Sequence, residues 1–187
     1  MHAFFAIKIP QETLELVGEE TTKIKDVVEH SVKWVNPTRM HLTLKFLGDF
    51  SPHHINAINL TLLQLFSSEK PFEICINGFG VFPGFNNPRV LWFGIQAKPQ
   101  LSKAAKLIEN TCANFGYEKE KRPFSPHLTI GRMKKGISQE ERNLIGSALR
   151  GYTSQLALRF SVMQIYLMKS ELTPKGPIYS EIFSIAL

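Results

Sequence analysis

Apolar and polar positions change period several times along the chain, and each change marks an element. "FFAIKI" (4–9) is a compact aromatic and β-branched run that predicts a buried strand, and 11–29 spaces its apolar residues like one face of a helix. "HLTLKFLG" (41–48) predicts the next strand. Ser51 and Pro52 then supply an N-cap and first-turn signal for a helix through "HHINAINLTLLQLF". "FEICINGFGVF" (72–82) alternates polar and apolar residues before the turn-rich "PGFNNP". The order then starts again: strand 89–95, helix from about 99 to 115, strand "HLTIGR" (127–132), helix from about 138 to 149, strand 156–168. "PIYSEIFSIAL" (177–187) predicts one further strand.

The second series repeats the first at a fixed offset. His-Leu-Thr occurs at 41–43 and again 86 positions later at 127–129, and the same offset carries 4–9 onto 90–95 and 72–82 onto 158–168. Three strands in one register predict an internal duplication of a β-α-β-α-β unit, approximately 3–82 and 89–168, with 177–187 outside it. The expected fold class is therefore α+β and bilobal: two pseudo-symmetric lobes of mainly antiparallel sheet packed on helices, within one domain over 1–187. A central cleft follows, and such junctions are where ligand sites lie.

Composition narrows the setting. With 187 residues, 43% hydrophobic and 20% charged, the chain is globular and long enough for a substantial core. It has no apolar run near the roughly 20 residues that span a bilayer. "MHAFFAIKIP" is short, lacks a basic leader and is broken by Pro10, so it predicts a first strand and a cytoplasmic protein without a membrane partner. Cys75 and Cys112 have no CxxC spacing and read as reduced, packed thiols. A net charge of +6 permits attraction to a polyanion such as RNA. The densest basic stretches, 118–122 and 132–135, equally suit a solvated face.

The repeated motif changes the picture most. Residues i and i+2 share a face of a strand, so His41 points with Thr43, and His127 with Thr129, while the intervening leucines anchor each strand. A lone pair of this kind is usually a histidine satisfied by a neighbour. Two facing pairs instead supply two imidazoles that titrate near neutrality and two hydroxyl donors. Phosphodiester cleavage uses that set: a base for the attacking oxygen, an acid for the leaving oxygen, and donors for the non-bridging oxygens. The scheme requires no metal or cofactor, and no Cys/His cluster has ligand spacing. His2, His30, His53 and His54 read as surface residues. Lys45 shares parity with His41 and Thr43, which makes it a substrate-binding candidate. Trp34, Phe46, Phe82 and Phe85 can stack on a nucleobase, and nothing in the sequence singles out one of them.

Paired HxTx motifs in a chain of this length resemble the 2H phosphoesterases, and among them the bacterial and archaeal RNA 2′,3′-cyclic phosphodiesterases, first described as 2′-5′ RNA ligases. The resemblance also takes in "GFGVFPGFNNPRVLWFGI", "RPFSPHLTIGR" and "LMKSELTPKGPIY". It implies metal-independent opening of a terminal 2′,3′-cyclic phosphate to a 2′-phosphate, with His41 as proton donor, His127 as proton acceptor, and Thr43 and Thr129 on the phosphate oxygens. The motifs alone leave acid and base interchangeable. The family's basic residue after the second motif is matched by Arg132. On an uninterrupted strand Arg132 would face away from the phosphate, and Gly131 is the place for a bulge that re-aims it. Where the family often has an acidic residue and Asn before the first histidine, this chain has "TRM". The expected partner is RNA with a 2′,3′-cyclic end, with small nucleotides as further candidates, acted on by a monomer. The alternatives are 2′-5′ ligation to a 5′-hydroxyl and a non-catalytic nucleotide- or RNA-binding module.

Overall fold

The computed structural model describes every residue except Glu29, Ala97 and Lys175. In chain order it contains β1 (His2–Lys8), α1 (Gln11–Val28), β2 (Val32–Trp34), β3 (His41–Asp49), α2 (Ile55–Phe66), β4 (Phe72–Phe82) and β5 (Val90–Gln96). These are followed by α3 (Pro99–Asn114), β6 (His127–Met133), α4 (Gln139–Arg150), β7 (Ala157–Val162), β8 (Gln164–Thr173) and β9 (Gly176–Ala186). The predicted helix over 11–29 ends within a residue of α1, and its last position, Glu29, lies outside the described residues. Lys175, in the C-terminal segment of the family resemblance, lies outside them as well.

Two antiparallel sheets form, ordered β3-β1-β8-β9 and β2-β6-β5-β4-β7. Helix α1 packs on α4 and α2 on α3, and one continuous core joins the two halves. The elements follow from their residues. β1 is buried from Ala3 to Ile7 because both faces are covered: Ala3, Phe5 and Ile7 enter the main core, while Phe4 and Ala6 pack with Met168 on the other face. Helix α1 turns Leu14, Val17, Ile24 and Val28 inward on one stripe. The Ser138 hydroxyl caps α4 by accepting the Glu141 N–H at 3.1 Å.

The sheets do not simply collect one repeat unit each. The last strand of each unit sits in the other unit's sheet: β4 lies beside β5, and β8 beside β1. The registers nevertheless correspond. Ala6 lies between Thr43 and Tyr166, as Trp92 lies between Thr129 and Gly80, and Phe4 opposes Met168 as Val90 opposes Phe82. We propose that 3–82 and 89–168 are two copies of one unit with exchanged third strands.

Two elements differ from expectation. The strand predicted over 156–168 is two strands: β7 pairs with β4 in one sheet, and after Met163 the chain crosses into the other as β8. Buried Val162 and Ile165 lie on either side of the crossing, and nothing between them but exposed Met163 and half-buried Gln164 marks it. The short β2 was not predicted, because three residues carry no readable period.

Outside the strands, Glu20 of α1 is buried and accepts hydrogen bonds from Tyr152 Oη (2.6 Å), Ser154 Oγ (2.8 Å) and Lys23 Nζ (2.8 Å). Burial alone would raise its pKa. The three donors outweigh it and hold the carboxyl at about 2, against an ordinary 4.5. A depressed folded-state pKa gives stability that is present above 4.5 and is lost as the pH falls toward 2. Glu20→Gln is expected to lower unfolding free energy by about 1–3 kcal/mol at neutral pH. Denaturant titrations should show the deficit shrinking as pH falls through that window.

Candidate active site

β3 is the edge of its sheet, and β6 is covered on its outer side where β2 pairs with Gly131–Met133 and where the Val35 N–H bonds the Ile130 carbonyl. β3 packs against β6, and Thr43 of the first motif and His127 of the second line one groove. Residues directly opposite in an antiparallel ladder share a face. Lys8, Ala6 and Phe4 of β1 oppose His41, Thr43 and Phe46, while Gly94, Trp92 and Val90 of β5 oppose His127, Thr129 and Arg132.

Each strand contains a bulge at the same place. Leu44 has no partner between Thr43 and Lys45, and neither has Ile130 between Thr129 and Gly131. The extra residue reverses the alternation beyond it. Arg132 is thereby returned to the face of His127 and Thr129. Gly131 contributes space rather than an unusual backbone angle, because a Cβ there would collide with Val32 and Trp34. The same reversal turns Lys45 off the face that strict alternation predicts for it: it opposes the fully buried Phe5 and is itself 5% exposed, while it lines the same groove as Thr43 and His127. Its ammonium donates to Glu109 Oε1 and to the Glu118 carbonyl, each at 2.9 Å. Phe46 takes the face instead and is 67% exposed.

The two imidazoles are anchored alike. His41 Nδ1 lies 2.9 Å from the Arg39 carbonyl and His127 Nδ1 2.7 Å from the Ser125 carbonyl, each two residues upstream. A carbonyl only accepts, so each Nδ1 carries a proton and each neutral ring keeps its lone pair on Nε2. Aromatic rings fix the planes. Phe4 stacks on His41 at 4.7 Å and the Tyr179 edge meets it at 5.0 Å, while Phe82 meets His127 edge-on at 5.0 Å beside Trp92. The indole lies over Gly80, where any Cβ would collide with it. Phe4, Tyr179 and Trp92 carry no sequence signal of their own, since each reads as one more strand aromatic.

The surroundings differ electrostatically. Burial against these rings lowers the His41 pKa below 6.5, with the Arg39 carbonyl working against it. Burial raises the Tyr179 hydroxyl, while Arg132 and Arg39 pull it down, so Arg132 reaches from β6 into the field of the residue that touches His41.

A groove of about 1070 Å³ opens from Thr43 and His127. Phe46, Phe82 and Phe124 line it together with Arg89, Lys119 and Arg122, which have no carboxylate ion-pair partner among the described residues. Of the other aromatic candidates, Trp34 packs over Gly131 and Phe85 against α4 at Gly146. His54 is not simply a surface residue: its Nδ1 lies 2.9 Å from Tyr117 Oη. Cys75 and Cys112 are free and buried, and burial pushes the Cys112 thiol up to about 12. Among the described residues, no group of three or more His, Cys, Asp or Glu side chains is placed to hold a metal ion, and no helix is long and apolar enough to cross a membrane.

Two lobes presenting paired His-x-Thr strands across a groove define a 2H phosphoesterase fold. The chain belongs to the 2′-5′ RNA ligase superfamily, whose sequence profile matches residues 15–174. It is 34% identical to the RNA 2′,3′-cyclic phosphodiesterase of Methanocaldococcus jannaschii, over 97% of this chain and 98% of that one. It is 31% identical to the protein of that name from Methanothermobacter thermautotrophicus, over 97% and 96%. Among solved structures, TT0787 of Thermus thermophilus superposes with a TM-score of 0.84 at 26% identity, covering 100% of this chain and 98% of that one. LigT of E. coli complexed with 3′-AMP has the same fold, with a TM-score of 0.80 at 23% identity, covering 100% and 97%.

The anchoring carbonyls predict the Nδ1–H tautomer for both neutral rings. In ¹⁵N spectra of the imidazoles above their titration range, Nε2 of His41 and His127 should have the unprotonated shift, while an Nε2–H signal for either would contradict this geometry.

Proposed function

We propose that this chain is an RNA 2′,3′-cyclic phosphodiesterase that opens a terminal cyclic phosphate to a 2′-phosphate by two-histidine acid/base catalysis. The observation that carries the reading is the matched anchoring of His41 and His127 through Nδ1, which leaves both Nε2 atoms for proton transfer on facing strands. The name carried by relatives covering nearly the whole chain supports it.

In this mechanism a water attacks phosphorus opposite the 3′ oxygen. His127 Nε2 takes the water proton as the new P–O bond forms. His41, protonated at Nε2, gives its proton to the 3′ oxygen as the P–O3′ bond breaks, leaving a 2′-phosphate and a 3′-hydroxyl. The Thr43 and Thr129 hydroxyls and Arg132 hold the non-bridging oxygens as charge moves onto them. The RNA strand leading to the cyclic end lies in the groove, with Arg89, Lys119 and Arg122 near its phosphates and exposed Phe46 available for stacking. The protein acts as a cytoplasmic monomer.

His41→Ala and His127→Ala should each lower turnover on a 2′,3′-cyclic oligoribonucleotide by about 10²–10⁴-fold without loss of fold. Near-normal turnover in either would remove that histidine from the mechanism. Products are identified by phosphate position, and paired RNA halves reveal ligation if the chemistry runs in reverse.

The lowered His41 pKa has a site-resolved signature. In an NMR titration of the free protein, which follows each imidazole separately, His41 should titrate below 6.5. Bound phosphate favours the imidazolium, so inorganic phosphate should move that titration to higher pH. A His41 titration that phosphate leaves in place would separate this ring from the phosphate site.

The groove reading predicts that oligonucleotides are preferred over cyclic mononucleotides and that the preference weakens with salt. Lys119→Gln/Arg122→Gln should reduce the slope of log(kcat/KM) against log[salt] for the oligonucleotide by about one to two. It should leave the mononucleotide unchanged.

A further inference from the structure

Lys45 is nearly fully buried, and both of its recorded partners belong to the segment that leads into the second motif. Glu109 stands on α3, and the Glu118 carbonyl lies in the connection between α3 and β6. Glu109 Oε1 also accepts the Glu120 N–H at 2.9 Å. One ammonium and one carboxylate thus pin this connection at two successive places, to the strand that carries His41. The connection ends at Ser125, whose carbonyl fixes the His127 tautomer. At the corresponding position of the second half, 86 residues on, stands Gly131, so the arrangement is no part of the repeated motif.

We propose that Lys45 and Glu109 are a pair of positioning residues that hold the 118–126 connection, and through the Ser125 carbonyl the imidazole of His127, in register with His41. The inference rests on the catalytic reading of His127. Lys45 and Glu109 lie in the lining of the groove, where each is engaged by the other. The lysine's charge is satisfied internally, and its effect on the reaction passes through backbone. The same connection supplies Lys119, Arg122 and Phe124 to the groove wall, so the pair also sets that wall.

The test uses Lys45→Met and the double variant Lys45→Met/Glu109→Leu. The double variant removes the buried charge together with its partner, and apolar replacement of a buried ion pair is commonly tolerated. In both, hydrogen exchange of amides in 116–126 should accelerate by about tenfold or more while α1 and α4 are unaffected. The slowly exchanging Nδ1 proton of His127 should disappear from NMR spectra while that of His41 persists. Turnover should fall by about tenfold or more with a smaller change in KM, and the limb of the pH profile belonging to His127 should move while that of His41 stays. A merely structural loss would not separate the two histidines. A folded double variant with unchanged exchange in 116–126 and an intact His127 Nδ1 proton would overturn the proposal. Exchange and NMR do not depend on turnover. A wild-type protein inactive on cyclic RNA, whose variants nonetheless free the 116–126 segment and His127, would sink the function and leave the positioning pair standing.

Discussion

One extra residue directly after each His-x-Thr pair governs the site. Without the bulges at Leu44 and Ile130, strand alternation would send Arg132 to the core and Lys45 to the face of His41. With them, positions i, i+2 and i+5 of each motif share one face, while i+1 and i+3 stay in the core. Bulges re-aim side chains at the cost of a locally interrupted ladder. In β3 the interruption occurs on an edge strand, where a broken ladder costs least, and in β6 the bulged Ile130 still gives its carbonyl to the Val35 N–H on the outer side.

Histidine orientation depends on that frame. A carbonyl two residues upstream reaches Nδ1 in both motifs because both chains enter their strand in a similar way, after "TRM" in one case and "FSP" in the other. The family's usual acidic residue before the first histidine is therefore dispensable for setting the tautomer, since the contact at Arg39 is made by backbone and any residue supplies it. Aromatic rings then fix the imidazole planes. The two rings differ in what encloses them: Phe4 and Tyr179 come from one sheet, Phe82 and Trp92 from the other.

Much of this was legible in the sequence, and the parts that were not have physical reasons. Element order, the 86-residue offset and the pairing of His with Thr follow from periods of 2 and 3.6, which side-chain burial imposes directly. The face of Lys45 did not follow, because a bulge centred on leucine has none of the glycine or proline punctuation that betrays most irregularities. Nor did the crossing at Met163, where buried residues on both sides make two strands read as one. Tyr179 lies far from His41 in sequence and meets it only through the order β3-β1-β8-β9. Sheet order is a tertiary property, and no local pattern encodes it.

The pseudo-symmetry is most informative where it fails. A perfect repeat would give two equivalent imidazoles and no reason for one to be acid and the other base. The occupants of equivalent positions break the tie. At i+4 stand a buried lysine and a glycine, and at i+5 an exposed phenylalanine and an arginine. The first motif therefore carries an exposed ring and a cation neutralised by Glu109 in the groove wall, and the second carries its cation on the face of His127 and Thr129. His41 sits among rings that disfavour its charged form, so its proton is held weakly and given up readily. An anion held by Arg132 would offset that penalty when substrate is bound. Differentiation of the two halves thus lies in the residues just after each His-x-Thr pair, while the pair and its bulge keep the geometry common to both.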